Sequence, residues 1–262
     1  MSWVDAIILA VVEGLTEYLP ISSTGHMIVV SAFRGINEEG FVKAYTIIVQ
    51  FGAIASVLVL YWRQFLMGPG FYKKLFVAFL PAAVLGLLVK NYIDRLLGDV
   101  IVVAWALLVG GVILMFVDSL FERRRKSLKA TGDVHTHWSN MSLVSAVKIG
   151  FIQCFAFIPG VSRAASTIIG GLFVGLNRQQ AAEFSFLLAV PTLTGASFVK
   201  MLKVLPSIDS SQWKILLVGN VISFLVGLVS VKTFIQLLSR YGFFWFGVYR
   251  VILGILVLYL IR

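Results

Sequence analysis

Six stretches of this chain, 41–62, 73–91, 100–121, 178–202, 213–237 and 243–261, are each about long and apolar enough to cross a roughly 30 Å hydrocarbon core as a helix. Such spans leave few folds available. In lipid every backbone N–H and C=O has to be paired within the protein, so spanning segments of this length fold as helices. The rest of the chain agrees. Hydrophobic residues make up 59% of its 262 residues and charged ones 13%, against about 25% in soluble domains. Mean hydropathy is +0.95. The chain reads as an all-α polytopic membrane protein forming one membrane domain, 1–262, of about ten helices.

The four remaining helical segments come as two interrupted pairs: 3–19 with 24–34, and 141–158 with 163–175. Segments 24–34 and 163–175 are too short to cross a membrane alone. Each pair is therefore expected to be a re-entrant hairpin that enters and leaves on one side. Backbone that is not helical at membrane depth is tolerated where protein or a water-filled cavity satisfies it. The break is also where the polar chemistry sits. The first reads E-G-L-T-E-Y-L-P-I-S-S-T-G-H, from Glu13 to His26. Glu13 and Glu17 are four apart and share a helix face. Pro20 ends that helix. Ser22, Ser23 and Thr24 are residue types that cap a new one, and Gly25 permits close approach to the backbone. His26 then lies in the first turn of the second helix.

The second break, F-I-P-G-V-S-R-A-A-S-T, follows 139 residues later if Pro20 is matched to Pro159 and Ser23 to Ser162. V-L-G-L-L-V-K (84–90) and L-V-G-L-V-S-V-K (225–232) repeat at a similar offset. A register pairing 107–111 with 216–220 misaligns the breaks and is set aside. The expected organisation is a first repeat, 1–121, a basic polar loop, 122–140, and a second repeat, 141–262. Three full spans per half is an odd number, so the halves are inverted. Inverted repeats whose broken helices meet near the midplane are a known site architecture. Loop charge orients the chain. Arg63, Lys73, Lys74, Arg123, Arg124, Arg125, Lys126, Lys129, Arg178, Lys232 and Arg240 fall on one side, expected to be cytoplasmic. Both termini and the mouth of the first hairpin then face outward.

Carboxylates buried in apolar helices are costly and mark function. Glu13 and Glu17 suit a divalent cation, Mg²⁺ or Ca²⁺, that bridges to phosphate, or proton transfer. Two helix N-termini, at Ser23/Thr24 and at Ser162/Arg163, present unpaired N–H groups that favour phosphate. Arg163 adds a planar fork for it, or else neutralises Glu13 or Glu17 as a buried pair. His26 is a general acid or base, or a satisfied structural histidine. Gln50 and Ser185 read as interhelical hydrogen bonders. Pro81 and Pro191 read as helix kinks, and His135 and His137 as solvated. The single cysteine, Cys154, rules out an intramolecular disulfide and a cysteine metal cluster. The first charge is Asp5 and Glu13 interrupts the apolar run, so the N-terminus does not read as a signal peptide. A net charge of +10 fits basic loops against anionic membrane lipids, and no nucleic-acid motif accompanies it.

V-E-G-L-T-E-Y-L-P-I-S-S-T-G-H, P-G-V-S-R and E-F-S-F-L-L-A-V-P together resemble the signatures of the undecaprenyl-diphosphate phosphatase family, also called the UppP, BacA or bacitracin-resistance family. The likeness extends along essentially the whole chain. One departure stands out: the family pattern S-R-S is here Ser162-Arg163-Ala164, so the hydroxyl at position 164 is missing. The resemblance implies hydrolysis of undecaprenyl diphosphate to undecaprenyl phosphate and inorganic phosphate, recycling the carrier lipid for cell-wall synthesis. It also implies a divalent-cation requirement and a bacterial plasma-membrane location with the site open to the outer, periplasmic face. It makes Glu17, Ser23, His26 and Arg163 the catalytic candidates. Ser22, Thr24, Gly25, Ser162 and Glu183 are the substrate-binding candidates, and Glu13 and Glu17 the metal ligands. Ser23 is expected to attack phosphorus while His26 moves its proton. The rival reading is a lipid-phosphate flippase or proton-coupled transporter on the same repeat. A homodimer is compatible with either.

Overall fold

The computed structural model describes residues 1–262 except 38, 97–98, 132–136, 205–207 and 261–262, and except the side chains of 94, 123–131, 200 and 203. The described residues are helical and contain no strand. Helix α1 (Trp3–Thr16) opens on a capping box, in which the Ser2 hydroxyl accepts from the Asp5 amide while the Asp5 carboxylate accepts from the Ser2 amide. It ends at the break, and α2 (Ser23–Phe33) follows. Arg34, at the far end of α2, pairs with Asp5, at the start of α1, at 2.7 Å. That ion pair ties entry and exit of the segment together, as a re-entrant hairpin requires.

The second hairpin is built alike. Helix α8 (Leu143–Gln153) passes through one 3-10 turn, Cys154–Phe157, into the break, and α9 (Arg163–Phe173) returns. Trp138, just before α8, lies beside Phe184 of the helix that follows α9, with ring centroids 6.3 Å apart and the rings tilted.

Among the described residues, five helical stretches are long and apolar enough to cross a membrane: 40–60, 69–88, 100–122, 178–199 and 210–241. They correspond to α3 (Gly40–Ile48) continued by α4 (Gln50–Leu60), α5 (Pro69–Leu88), α7 (Val100–Thr131), α10 (Arg178–Val204) and α11 (Ser210–Tyr241). The sixth expected span is α12 (Phe244–Leu260), 17 residues long. A short extra helix, α6 (Lys90–Leu96), precedes α7. The span expected at 41–62 is stepped at Val49, where α3 and α4 meet. Just beyond the step the Asn220 side chain accepts from the Gly52 amide at 2.8 Å.

Residues 122–131, expected as the start of the basic loop, continue α7 instead. The run E-R-R-R-K-S-L-K-A has no Gly or Pro to stop a helix and is rich in good helix formers. His135 lies outside the described residues. His137 is bonded rather than simply solvated: its Nδ1 lies 2.8 Å from the Ser139 hydroxyl. Pro81 and Pro191 sit inside α5 and α10 without ending them. Asp209 caps α11 by accepting from the Gln212 and Ser211 amides. The bond from Gln212 and the Ser211 hydroxyl hold this carboxyl below the ordinary aspartate range.

Several of the main helix pairings are preserved when the halves are exchanged. Helix α1 packs on α11 as α8 packs on α5, α4 meets α11 as α10 meets α5, and α1–α2 matches α8–α9. The pairs α7–α12 and α4–α10 map onto themselves. The first arm of each hairpin, α1 or α8, is thus held by a long helix of the other half.

The register of the repeat is 140 residues, one more than the match of the two prolines. Ser22 caps α2 and Ser162 caps α9. Ser2 caps α1 and Ser142 caps α8 at the same offset. The prolines mislead because they precede the caps by different distances. In this register Ser23 corresponds to Arg163, Glu13 to Gln153 and His26 to Ser166.

Candidate active site

Each cap serine at the breaks has a backbone that L-residues rarely adopt, with φ 72° at Ser22 and 79° at Ser162. Such conformations cost about 1–3 kcal/mol each and gather at functional sites. Both hydroxyls accept from the third amide of the following helix, Gly25 at 3.2 Å and Ala165 at 3.1 Å. The first two amides of each helix lack intrahelical partners, as at any helix start. The strained cap turns the first helical residue, Ser23 in one half and Arg163 in the other, toward the same place.

There they meet through Glu17. The Ser23 hydroxyl donates to Glu17 Oε2. Arg163 donates to Glu17 Oε1 at 2.6 Å. A second arm of the guanidinium reaches the Ser185 carbonyl at 3.1 Å and hydroxyl at 3.3 Å. Thr167, one helical turn past Arg163, shares a 2.6 Å bond with that hydroxyl. Tyr18 lies beneath, its ring 5.7 Å from the Arg163 carbon and its hydroxyl donating to the Ala53 carbonyl at 2.9 Å. Ser185 is the interhelical bonder the sequence suggests, and so is Gln50, whose side chain accepts from Ser197 at 3.4 Å.

Glu13 lies one turn before Glu17, fully buried, with neither carboxylate oxygen hydrogen-bonded. Buried unpartnered groups cost a few kcal/mol and call for an explanation. Its counterpart Gln153 is buried as well, with its amide nitrogen unpartnered.

His26 is placed differently from expectation. Its Nδ1 lies 2.7 Å from the Ser22 carbonyl and its Nε2 lies 2.7 Å from the Tyr249 hydroxyl. A carbonyl only accepts, so Nδ1 carries a proton, and in the neutral ring Nε2 accepts from Tyr249. The rings are parallel with centroids 5.6 Å apart. The group that Ser23 bonds is therefore the Glu17 carboxylate, and His26 bonds the carbonyl of the cap residue. Ser166 does the same in the other half, donating to the Ser162 carbonyl at 3.0 Å.

The remaining candidates divide. Thr24 is half-buried at the second position of α2. Gly25 faces α7 rather than the site: an added Cβ would meet the Ser22 hydroxyl and Val103. Glu183 accepts from Gln179 at 2.9 Å, whereas Ser185, two residues on, accepts from Arg163. Three residues near the site escape sequence reasoning: Tyr18, Tyr249 and Arg250. Arg250 alone carried a signal, as a charge inside an apolar span.

A polytopic helical membrane protein with a carboxylate, a hydroxyl and a guanidinium gathered between two broken helices is the class this geometry defines. Its family follows from comparison. A model of the family described as bacitracin resistance protein BacA matches residues 6–256, so the chain belongs to that family. Similar relatives agree along their length. A Bdellovibrio bacteriovorus protein named undecaprenyl-diphosphatase is 50% identical over 261 residues, covering 100% of this chain and 97% of the relative. Proteins of the same name from Flavobacterium johnsoniae and Aquifex aeolicus are 47% and 40% identical, covering 98% and 96% of this chain and 96% and 95% of those relatives.

Proposed function

We propose that this chain hydrolyses undecaprenyl diphosphate to undecaprenyl phosphate and inorganic phosphate, with Ser23 as nucleophile and Glu17 as its base. The bond from Ser23 to Glu17, with Arg163 on the other carboxylate oxygen, is the observation that carries this reading. Family membership and the relatives' name support the substrate. Glu17 takes the proton as the Ser23 oxygen attacks the terminal phosphorus. The bond from phosphorus to the bridging oxygen breaks, and that oxygen keeps the electron pair on the departing lipid phosphate, which receives the proton. Glu17 next deprotonates a water. The water attacks the phosphoserine, inorganic phosphate leaves, and Ser23 regains its proton. Arg163 and the free amides of the two helix starts stabilise charge on the transferring group.

The residues fit a divalent cation. Glu13 offers two unpartnered oxygens one turn from Glu17, and Mg²⁺ is commonly held by one or two carboxylates plus substrate phosphate. When bound, Mg²⁺ or Ca²⁺ neutralises phosphate charge. Glu13→Gln should raise the Mg²⁺ concentration for half-maximal activity by about 10- to 100-fold, without lowering thermal stability. An unchanged Mg²⁺ titration would remove Glu13 from the metal site.

Arg163→Lys keeps the charge but loses the fork that spans Glu17 and Ser185. The expected result is a fall in kcat of about 10²–10³-fold, with a smaller change in KM. A change confined to KM would make Arg163 a uniform binding residue. Normal kinetics would leave it a structural partner of Glu17.

The site is proposed to open to the outer, periplasmic face of the bacterial plasma membrane. Asp5 and Arg34, at the mouth of the first hairpin, and the exposed start of α11 lie on the side poorer in basic loops. In a Cys154→Ala background, Ser210→Cys should react with impermeant thiol reagents added outside and Gln64→Cys only with permeant ones. The opposite pattern would invert this orientation. Every group named comes from one chain, so the chemistry needs no second copy. A flippase or transporter has no use for an activated hydroxyl. Phosphate release from undecaprenyl diphosphate in detergent, where no gradient exists, separates the two, and its absence would overturn hydrolysis.

A further inference from the structure

Arg250 is the least expected residue in the molecule. It lies within α12, is fully buried, and pairs with no carboxylate among the described residues. One Nη donates to the Pro20 carbonyl at 3.1 Å and the Val161 carbonyl at 3.0 Å. The other donates to the Ala106 carbonyl at 2.9 Å and the Gly160 carbonyl at 2.9 Å. Pro20 lies in the first break, Gly160 and Val161 in the second, and Ala106 in α7. A single guanidinium thus joins both loops to one point on the α7–α12 pair.

The chemistry suits only arginine. Carbonyls freed by a helix break need donors inside the protein at membrane depth, and a guanidinium offers several in a fixed plane. Its approach to Ala106 depends on Gly110, where an added Cβ would collide with the guanidinium. In the 140-residue register Gly110 is the counterpart of Arg250 itself. The contact therefore sits where the exchanged halves meet, and the asymmetric pair, one glycine and one arginine, fills a place two arginines could not share.

We infer that Arg250 is a positioning residue for the proposed hydrolysis: it clamps the two loops so that the cap serines hold Ser23 and Arg163 on opposite oxygens of Glu17. It touches neither reacting group, and the inference rests on the reading given above. Misplacing a reacting group by about 1 Å costs about 100-fold in rate. Lysine, a point charge with three donors, cannot donate to all four carbonyls.

The test uses the full-length protein in detergent with undecaprenyl diphosphate. Arg250→Lys should lower kcat about 100-fold while KM stays within about twofold. Gly110→Ala, which keeps the arginine but displaces it, should lower kcat in the same manner and serves where Arg250→Lys fails to fold. In the double variant the alanine should add almost nothing, because the group it displaces is gone. Wild-type turnover per folded molecule in either single variant, with only thermal stability reduced, would make Arg250 a structural brace and overturn the inference. So would additive effects in the double variant, or a loss seen in KM alone. No phosphate release from the wild-type chain would instead refute the hydrolase reading itself.

Discussion

Glu17→Gln should lower kcat by about three orders of magnitude, measured as phosphate release from saturating undecaprenyl diphosphate. Glutamine fills the same volume and can still accept a hydrogen bond from Ser23. It cannot take the proton, and general-base catalysis contributes about 10²–10⁴-fold. The amide also presents an N–H where Arg163 now finds an anion, so the guanidinium loses the partner that aims it. Both losses fall in the transition state, and KM should change far less than kcat. A Glu17→Asp enzyme, with the charge kept but drawn back by one methylene, should recover part of the rate. Equal rates for Glu17→Gln and the wild-type chain would remove Glu17 from the chemistry.

Ser23→Ala should cost as much or more. The hydroxyl is the only group the proposal uses to form a bond to phosphorus, and its removal leaves Glu17 paired with Arg163 alone. Phosphate release should fall by about 10³-fold or further, while lipid diphosphate still binds to Arg163 and the helix starts. Ser22→Ala should act differently. It removes the bond to the Gly25 amide, a helix cap worth about 1 kcal/mol, so stability should fall more than rate. A Ser23→Ala enzyme that turns over normally would exclude the hydroxyl from any essential role.

Much of this site was legible because a bilayer removes the innocent explanations. In water Glu13 and Glu17 would be a solvated helix face. Inside an apolar run they had to be paired or functional, and the structure pairs one and leaves the other without a partner. Arg163 was legible for the same reason, as a buried charge that needs a partner, and it pairs with Glu17. The breaks were legible from Pro20, Pro159 and the serines that follow.

What failed was geometry finer than helical spacing. Residues three apart share a face, so His26 seemed the natural partner for Ser23. Side-chain torsion decided otherwise, because the imidazole bends back to the Ser22 carbonyl and onward to Tyr249. The repeat slipped by one residue because proline marks where a helix stops, whereas the serine cap marks where the next begins. Tyr18 and Tyr249 read as ordinary apolar-span aromatics, and no local pattern separates a tyrosine that holds a catalytic group from one that fills a core. Glu183 drew attention as a charge, yet the uncharged Ser185 two residues on is the one that reaches Arg163.

In the proposed reaction Ser23 itself becomes phosphorylated, and the stereochemistry at phosphorus reports whether it does. Undecaprenyl diphosphate carrying a terminal thiophosphoryl group made chiral with oxygen isotopes would be hydrolysed in labelled water, and the configuration of the released thiophosphate determined. Attack by Ser23 followed by attack of water inverts phosphorus twice, so the account predicts net retention. Net inversion would show that water strikes phosphorus directly, and would contradict it.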